Sequence, residues 1–379
     1  MRVAEQVPVV IVAPQAWSPF DWLIRLIRKS FRPQAAVFER VGDVEVHRPR
    51  VLSIPGVMKH WDGALMARGS RSTVRRLAQS FRPTVIDAHF VYPDGYAASL
   101  LALDVDLPLT ITLRGTKDLR LLGTDREPLM KAALDTASRV FSVSDSLTTD
   151  LGARLGQPAE KMLVVRNGVD LGKFHLVDRH LARRRLNLPD DAPVLISVGG
   201  LVEGKGFHRV IPLIRRLKDD FPEIRYLIVG GGSTQGDMRP ELEALVRSEG
   251  VQENVVFCGR QMPDDLKWFY GAADVFALAT RSEGWANVFL EAMACGLPVV
   301  TTLVGGNAQV VAKPSLGTLV PFWDSKAFEA ALRDSLAPGR WDRAAILGHA
   351  SSSGWEEPVS MLVDAFTRLS GSRAEVGQS

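Results

Sequence analysis

Short, β-branched apolar runs alternate with helix-like stretches along the chain, and the series starts afresh near its middle. Residues 7–13, 85–89, 109–114, 140–143 and 162–165 read as buried parallel strands, because a strand covered on both faces is apolar throughout. Residues 96–103 and 129–137 read as helices between them. The second series is strand 193–198, helix 207–218, strand 225–229, helix 240–249, strand 255–258, helix 264–272, strand 275–278, helix 287–294 and strand 298–302. Pro212 falls inside one of these helices and is expected to kink it. Gly296 stands where a left-handed cap would end another, and Pro298 forbids continuation. Alternating β and α segments build doubly wound sheets. The expected class is therefore α/β with two Rossmann-like domains. The polar, Arg-rich stretch 170–191 reads as the linker between them. Such domains should face a central cleft, since ligands bind at the carboxyl ends of the strands.

Length agrees with this division: 379 residues at about 150 per domain suggest two domains. The apolar runs 7–14 and 97–103 fall far short of the roughly 18 residues a membrane span needs. The first carries Pro8 and Pro14 and no small-residue cleavage site, so it reads as a strand and not as a signal peptide. Two cysteines, Cys258 and Cys295, are too few for a disulfide framework and too far apart for a CxxC site. They read as buried core thiols in a reducing cytoplasm. No HxxxH or HExxH pair occurs, so no zinc site is expected.

Charge is unevenly placed. The net is +3, but residues 1–82 carry +8 and the remainder −5. Within the basic quarter, Trp22, Leu23, Leu26, Ile27 and Phe31 recur at helical spacing, flanked by Arg25, Arg28, Lys29 and Arg32. The plain reading is a helix packed on its sheet. The functional one is docking on an anionic membrane surface, at the inner membrane face. Arg68, Arg71, Arg75, Arg76 and Arg82 add to the patch. No nucleic-acid recognition motif accompanies this charge.

The most informative segment is residues 280–306, TRSEGWANVFLEAMACGLPVVTTLVGG. If a helix begins near Asn287, Glu283 lies in the loop at its mouth and Glu291 one turn inside. Two carboxylates at one helix end can each grip vicinal hydroxyls, which suits a ligand carrying a ribose and a second sugar. Lys205, next to Gly206 and a helix start, is placed to stabilise phosphate charge. Gly199 and Gly200 let a backbone approach closely. A GxGxxG fingerprint is absent after the first strand, which disfavours a dinucleotide enzyme.

This string resembles the EX7E region of retaining GT-B glycosyltransferases of family 4. Other segments resemble that family in the same order: Asn167-Gly168-Val169-Asp170, the loop 198–206, Val256-Phe257-Cys258-Gly259 and Ala273-Asp274-Val275. Residues 13–19, 87–95 and 112–118 are similar to a subgroup acting in cell-envelope and exopolysaccharide assembly, of the teichuronic-acid type. The resemblance implies a GT-B fold with domains at 1–170 plus 355–379 and at 171–354. It implies transfer of a sugar from a UDP- or GDP-sugar, with retention and without a metal or resident cofactor, to a growing polysaccharide or lipid-linked glycan acceptor. It implies catalytic roles for His89, Lys205 and Glu283. Gly199, Gly200, Lys205, Arg260, Glu283, Gly284, Asn287, Val288 and Glu291 would bind the donor. The family commonly has Arg where this chain has Gly200, so Arg114, Arg166 and Arg281 are candidate replacement phosphate cations. Gln309 stands where the family has Glu. Sugar phosphorolysis, nucleotide-sugar epimerisation and a catalytically silent sugar-nucleotide-binding partner are the alternatives.

Overall fold

The structure is a computed structural model that describes residues 2–27, 31–32, 35–56, 58–233 and 236–376, the last five as backbone only. The chain divides into two compact units, Met1–Arg166 with Glu357–Ser379, and Asn167–Glu356.

The second unit is built on six parallel strands in the order Val255–Gly259, Arg225–Val229, Val194–Val198, Val275–Leu278, Val299–Thr302, Gly317–Val320. Chain order therefore reverses between Val194–Val198 and Val275–Leu278. In a doubly wound sheet the loops at that reversal point form a crevice at the carboxyl ends. Every residue of those two central strands is buried, and Ser197, their one polar residue, lies 2.7 Å from Tyr226 Oη. Helix Phe207–Leu217 runs through Pro212 without a break. Its Phe207, Val210, Ile211, Ile214 and Leu217 are buried against the sheet, so packing holds the turn that Pro212 leaves one hydrogen bond short. Gly296 has φ 79° and ends helix Asn287–Ala294 as expected. Strand Gly317–Val320 and helices Ser325–Ser335 and Arg343–Ser351 follow the elements read from the sequence.

The stretch read as a linker is corrected. It holds helix Arg179–Arg185, capped by Asp178, whose side chain accepts from Leu181 N at 2.6 Å. Arg183 is fully buried. Its guanidinium donates to Asp274 Oδ2 at 2.9 Å and to the Ala272 carbonyl at 3.0 Å. An Arg-rich segment reads as solvated unless its partners are known, and here they lie some ninety residues away. Cys258 is likewise only partly buried, whereas Cys295 is in the core.

In the first unit, Ile86–His89, Leu109–Leu113, Arg139–Ser142 and Met162–Val164 form a parallel four-stranded sheet. The expected first strand is shorter, Val10–Val12, and pairs in parallel with Val44–His47, which pairs antiparallel with Phe38–Val41. Gln15–Trp17 pairs separately with Arg50–Leu52. Within residues 38–52, Val44–His47 alternates buried and half-buried residues as a strand does, whereas Phe38–Val41 and Arg50–Leu52 are mostly exposed and carry charge. The terminal helix Glu356–Val376 returns to this unit: Phe366 meets Phe141 edge-on at 6.0 Å, and Ser370 Oγ donates to Thr84 Oγ1 at 2.8 Å.

Helix Asp21–Ile27 is inverted relative to an ordinary surface helix, and the plain packed-helix reading of it is corrected. Its buried residue is Asp21, which accepts from Ser18 Oγ at 2.6 Å and Arg32 Nη1 at 3.2 Å. Trp22, Leu26 and Ile27 face outward, 61, 72 and 88% exposed. Arg28 and Lys29 lie outside the described residues.

Replacing Arg183 with Ala should lower stability by about 3 kcal/mol, because a buried pair loses one partner while Asp274 keeps Arg179 at 2.8 Å. Urea denaturation of the variant measures this. A loss within 0.5 kcal/mol, the ordinary range for surface changes, would mean that the buried guanidinium does not hold the helix to the sheet.

Candidate functional site

Three loops leave the carboxyl edge of the second unit's sheet around its reversal point. The first follows Val194–Val198 and carries Gly199, Gly200 and the short 3-10 turn Glu203–Lys205. Gly206 then starts helix Phe207–Leu217 with φ 78°, and a Cβ there would lie 1.9 Å from the Ala279 carbonyl oxygen. Only glycine allows the two loops to touch at that point. The second loop follows Val275–Leu278 and leads to helix Asn287–Ala294. Arg281 N donates to the Gly204 carbonyl at 2.8 Å, which stitches it to the first. The third follows Val299–Thr302, and Gly306 N donates to the Glu283 carbonyl at 3.1 Å.

Lys205 and Glu283 meet at the centre. Lys205 Nζ donates to Glu283 Oε1 at 2.6 Å, and Thr280 Oγ1 lies 3.1 Å from the same oxygen. The Glu283 side chain is 11% exposed and that of Lys205 30%. An ammonium has three N–H donors, so Lys205 retains two after holding Glu283. The loop thus presents a cation anchored by a nearly buried acid.

Glu291 occupies a different environment. It lies within helix Asn287–Ala294, and Tyr270 Oη donates to its Oε2 at 2.9 Å. Burial pushes its carboxyl above the ordinary range, and the Tyr270 hydrogen bond only partly opposes this. Gly284 is buried, Asn287 is exposed and Val288 packs partly against the core. Asn167 Nδ2 donates to Asn287 Oδ1 at 3.1 Å, fixing the first residue of that helix. Arg260 follows strand Val255–Gly259, and its guanidinium donates to the Gly232 carbonyl. Arg281 lies 3.9 Å from Glu203. A Cβ on Gly200 would meet nothing nearer than 3.7 Å, so the position has room for the side chain it lacks. Tyr270 and Thr280 were not singled out from the sequence, because neither belongs to a chemically suggestive spacing.

In the first unit, His89 ends strand Ile86–His89. Arg114 Nε donates to His89 Nδ1 at 2.5 Å, so the ring proton sits on Nε2, which donates to Asp87 Oδ2 at 3.1 Å. Asp87 also accepts from Thr110 Oγ1 at 2.7 Å. Both imidazole nitrogens are engaged, and one tautomer is selected. The chain then turns at Phe90, with φ 67°. Asp118, wholly buried, accepts from Val91 N at 3.0 Å and Tyr92 N at 3.3 Å, and burial raises its carboxyl. Arg114 is lowered by burial. Arg166 pairs with Asp145 at 2.6 Å. Among the described residues, no group of three or more His, Cys, Asp and Glu side chains could hold a metal.

Glu291→Gln should stabilise the unliganded protein at neutral pH. A carboxyl whose folded pKa is raised opposes folding once it ionises. The penalty is absent below the ordinary value of 4.5 and grows as pH rises through the raised one. The Tm of the variant should therefore exceed wild type at pH 7 and converge on it near pH 4. Equal melting at both pH values would show that Glu291 is not strained by burial.

Residues 178–346 match the family Glycosyl transferases group 1, and residues 21–173 match Glycosyltransferase Family 4. The chain is 35% identical over 269 residues to a D-inositol 3-phosphate glycosyltransferase of Actinosynnema mirum, covering 67% of this chain and 64% of that one. It is 30% identical over 307 residues to the enzyme of that name from Xylanimonas cellulosilytica, covering 76 and 73%. The chain spans a little under two thirds of the length of several such relatives. Sucrose-phosphate synthase from Thermosynechococcus elongatus superposes with a TM-score of 0.79 at 21% identity, covering 96% of this chain and 99% of that one. Anabaena Alr3699/HepE, in complex with UDP and glucose, gives 0.72 at 18%, covering 94 and 98%. At these identities the superpositions establish a shared GT-B fold.

Proposed function

The chain belongs to the glycosyltransferases of family 4, and from that premise we propose that it transfers a sugar with retention from a UDP- or GDP-sugar to a glycan acceptor. The observation that carries the reading is the Lys205–Glu283 pair at the reversal point of a Rossmann-ordered sheet. A diphosphate leaving group needs a fixed cation and backbone N–H groups, and the 199–206 loop offers both. Glu283 would orient Lys205 and contact the donor sugar, and Glu291 would accept from the ribose hydroxyls. Gly199, Gly200, Gly284, Asn287, Val288 and Arg260 would line the nucleotide. His89, locked between Asp87 and Arg114, would stabilise positive charge developing on the sugar. In the transfer, the bond from the anomeric carbon to the β-phosphate oxygen breaks. The acceptor oxygen bonds to that carbon on the same face, and its proton passes to the departing phosphate. Arg114, Arg166 and Arg281 remain the candidate cations in place of the side chain absent at Gly200. No metal is required in this scheme.

The acceptor we propose is a growing envelope or extracellular polysaccharide, lipid-linked at the inner membrane face. The curated relatives are named for D-inositol 3-phosphate, so that polyol phosphate is the second acceptor to test. Support for the membrane comes from helix Asp21–Ile27, which turns Trp22, Leu26 and Ile27 outward on the same helix as Arg25. Apolar side chains entering the interface and cations over anionic headgroups act together, with each Lys or Arg contributing about 1 kcal/mol near the surface. Flotation with phosphatidylserine vesicles should carry the protein upward in low salt. Trp22→Ala combined with Ile27→Ala should abolish this, and failure of the wild-type protein to float would end the docking proposal.

The donor reading is tested by thermal stabilisation with UDP, GDP, ADP and NAD at equal concentration. A ligand present at 100 times its Kd adds about 2.7 kcal/mol. One of UDP and GDP should stabilise selectively, and its sugar conjugate should then yield a product of unchanged anomeric configuration. Stabilisation by NAD alone would overturn the assignment. Binding without transfer to any acceptor would favour the silent-partner reading. Lys205→Ala should lower kcat about 10²–10³-fold, the usual effect of losing one preorganised charge stabiliser. A change below twofold in a folded variant would remove Lys205 from the mechanism.

A further inference from the structure

The same carboxyl edge carries a second, aromatic cluster, of which the proposed transfer calls on Arg281 alone, as one candidate cation. Strand Gly317–Val320 ends at Pro321, and Phe322 and Trp323 follow. Trp323 is 67% exposed although it is the largest side-chain type. Its φ is 73°, a left-handed backbone that bulky residues rarely adopt. Its ring lies 4.4 Å from that of Phe322. Two guanidiniums come to these rings from other elements. Arg209, in the first turn of helix Phe207–Leu217, is 4.8 Å from the Phe322 centroid and 4.7 Å from that of Trp323. Arg281, in the loop that carries Glu283, is 5.6 Å from the Trp323 centroid.

The cations are poorly neutralised. Glu203, 3.9 Å from Arg281, is the acid that faces them. Arg209 donates to the Ala279 carbonyl at 2.9 Å, but its Nε is buried without a partner among the described residues, as is Nδ1 of the adjacent His208. Burial and the neighbouring Arg281 charge both lower Arg209. Two like charges, one acid, unanswered buried nitrogens and a strained exposed aromatic describe a receptor more than a packing solution. Backbone strain of this kind collects at ligand clamps. A guanidinium pairs well with carboxylate or phosphate oxygens, and an indole face accepts the C–H face of a pyranose.

We propose that Arg209, Arg281, Phe322 and Trp323 form a second subsite that takes an acidic saccharide, a sugar bearing a carboxylate or a phosphate. Assigning that saccharide to the acceptor rests on the proposed glycosyl transfer, whereas the binding itself does not.

Calorimetric titration of the full chain, with and without UDP, tests it. The probes are glucuronate, glucose 6-phosphate, glucose and inorganic phosphate, against wild type, Trp323→Gly and Arg281→Gln. Trp323→Gly suits the left-handed backbone, and the Arg281 side chain is 51% exposed, so both variants should fold. Glucuronate or glucose 6-phosphate should bind wild type at least tenfold more tightly than glucose. Each variant should lose at least tenfold of that affinity, and Trp323→Gly should still be stabilised by UDP. The preferred acidic sugar identifies which anion the subsite selects. Equal affinity in the variants, binding of glucose as tight as that of the acidic sugars, or no binding would overturn the subsite. So would inorganic phosphate binding as tightly as glucose 6-phosphate. Absence of UDP stabilisation in wild type would count against the donor reading, and the titrations without UDP would still judge the subsite.

Discussion

Glu283 ties together three loops that would otherwise have no reason to meet. Its carboxylate holds Lys205 at 2.6 Å, and its backbone carbonyl accepts from Gly306 N at 3.1 Å. Gly305, with φ 48°, passes so close that a Cβ would lie 2.0 Å from that carbonyl oxygen. The acid is nearly buried and the ammonium 30% exposed, and an ion pair in that setting is held by geometry and not by Coulomb attraction alone. The geometry comes from the sheet. Parallel strands end at one edge, and the reversal of chain order parts the loops at that edge. Lys205 and Glu283, 78 residues apart in sequence, become hydrogen-bonded neighbours there.

The two carboxylates of the EX7E string receive opposite treatment from their surroundings. Glu283 faces an ammonium, whereas Glu291 faces a tyrosine hydroxyl in the interior. Burial raises the second, so its charge is tolerated and not welcomed in the unliganded protein. Functional sites commonly store such strain, because a ligand that answers the group recovers it. The same logic runs through the His89 turn. The wholly buried Asp118 gives up solvation to hold two backbone N–H groups, and Arg114 and Asp87 hold the imidazole from both sides. A side chain so fixed can act electrostatically with little reorganisation.

Much of this was legible in order and type. The strands 225–229 and 275–278 and the helix 287–294 fall where their periodicity puts them. They are central and buried, so apolar pattern and structure coincide. Misreadings lie where burial is achieved without apolar sequence. Helix Arg179–Arg185 buries a guanidinium through distant carbonyl and carboxylate partners. Helix Asp21–Ile27 buries its acid and exposes its tryptophan. The hairpin 38–47 alternates charge with apolar residues on a thin edge.

Sequence alone determined the α/β alternation, the placement of Glu283 at the mouth of a helix and of Glu291 one turn within, and the family. These depend on local periodicity and on residue types at short spacings. Tertiary structure alone decided that Lys205 grips Glu283 and not open solvent, that Tyr270 answers Glu291, and that Arg209 and Arg281 converge on Trp323. Those contacts join residues 21 to 114 positions apart, and only the folded sheet, by stacking its strands out of chain order, brings such positions within hydrogen-bonding or stacking reach.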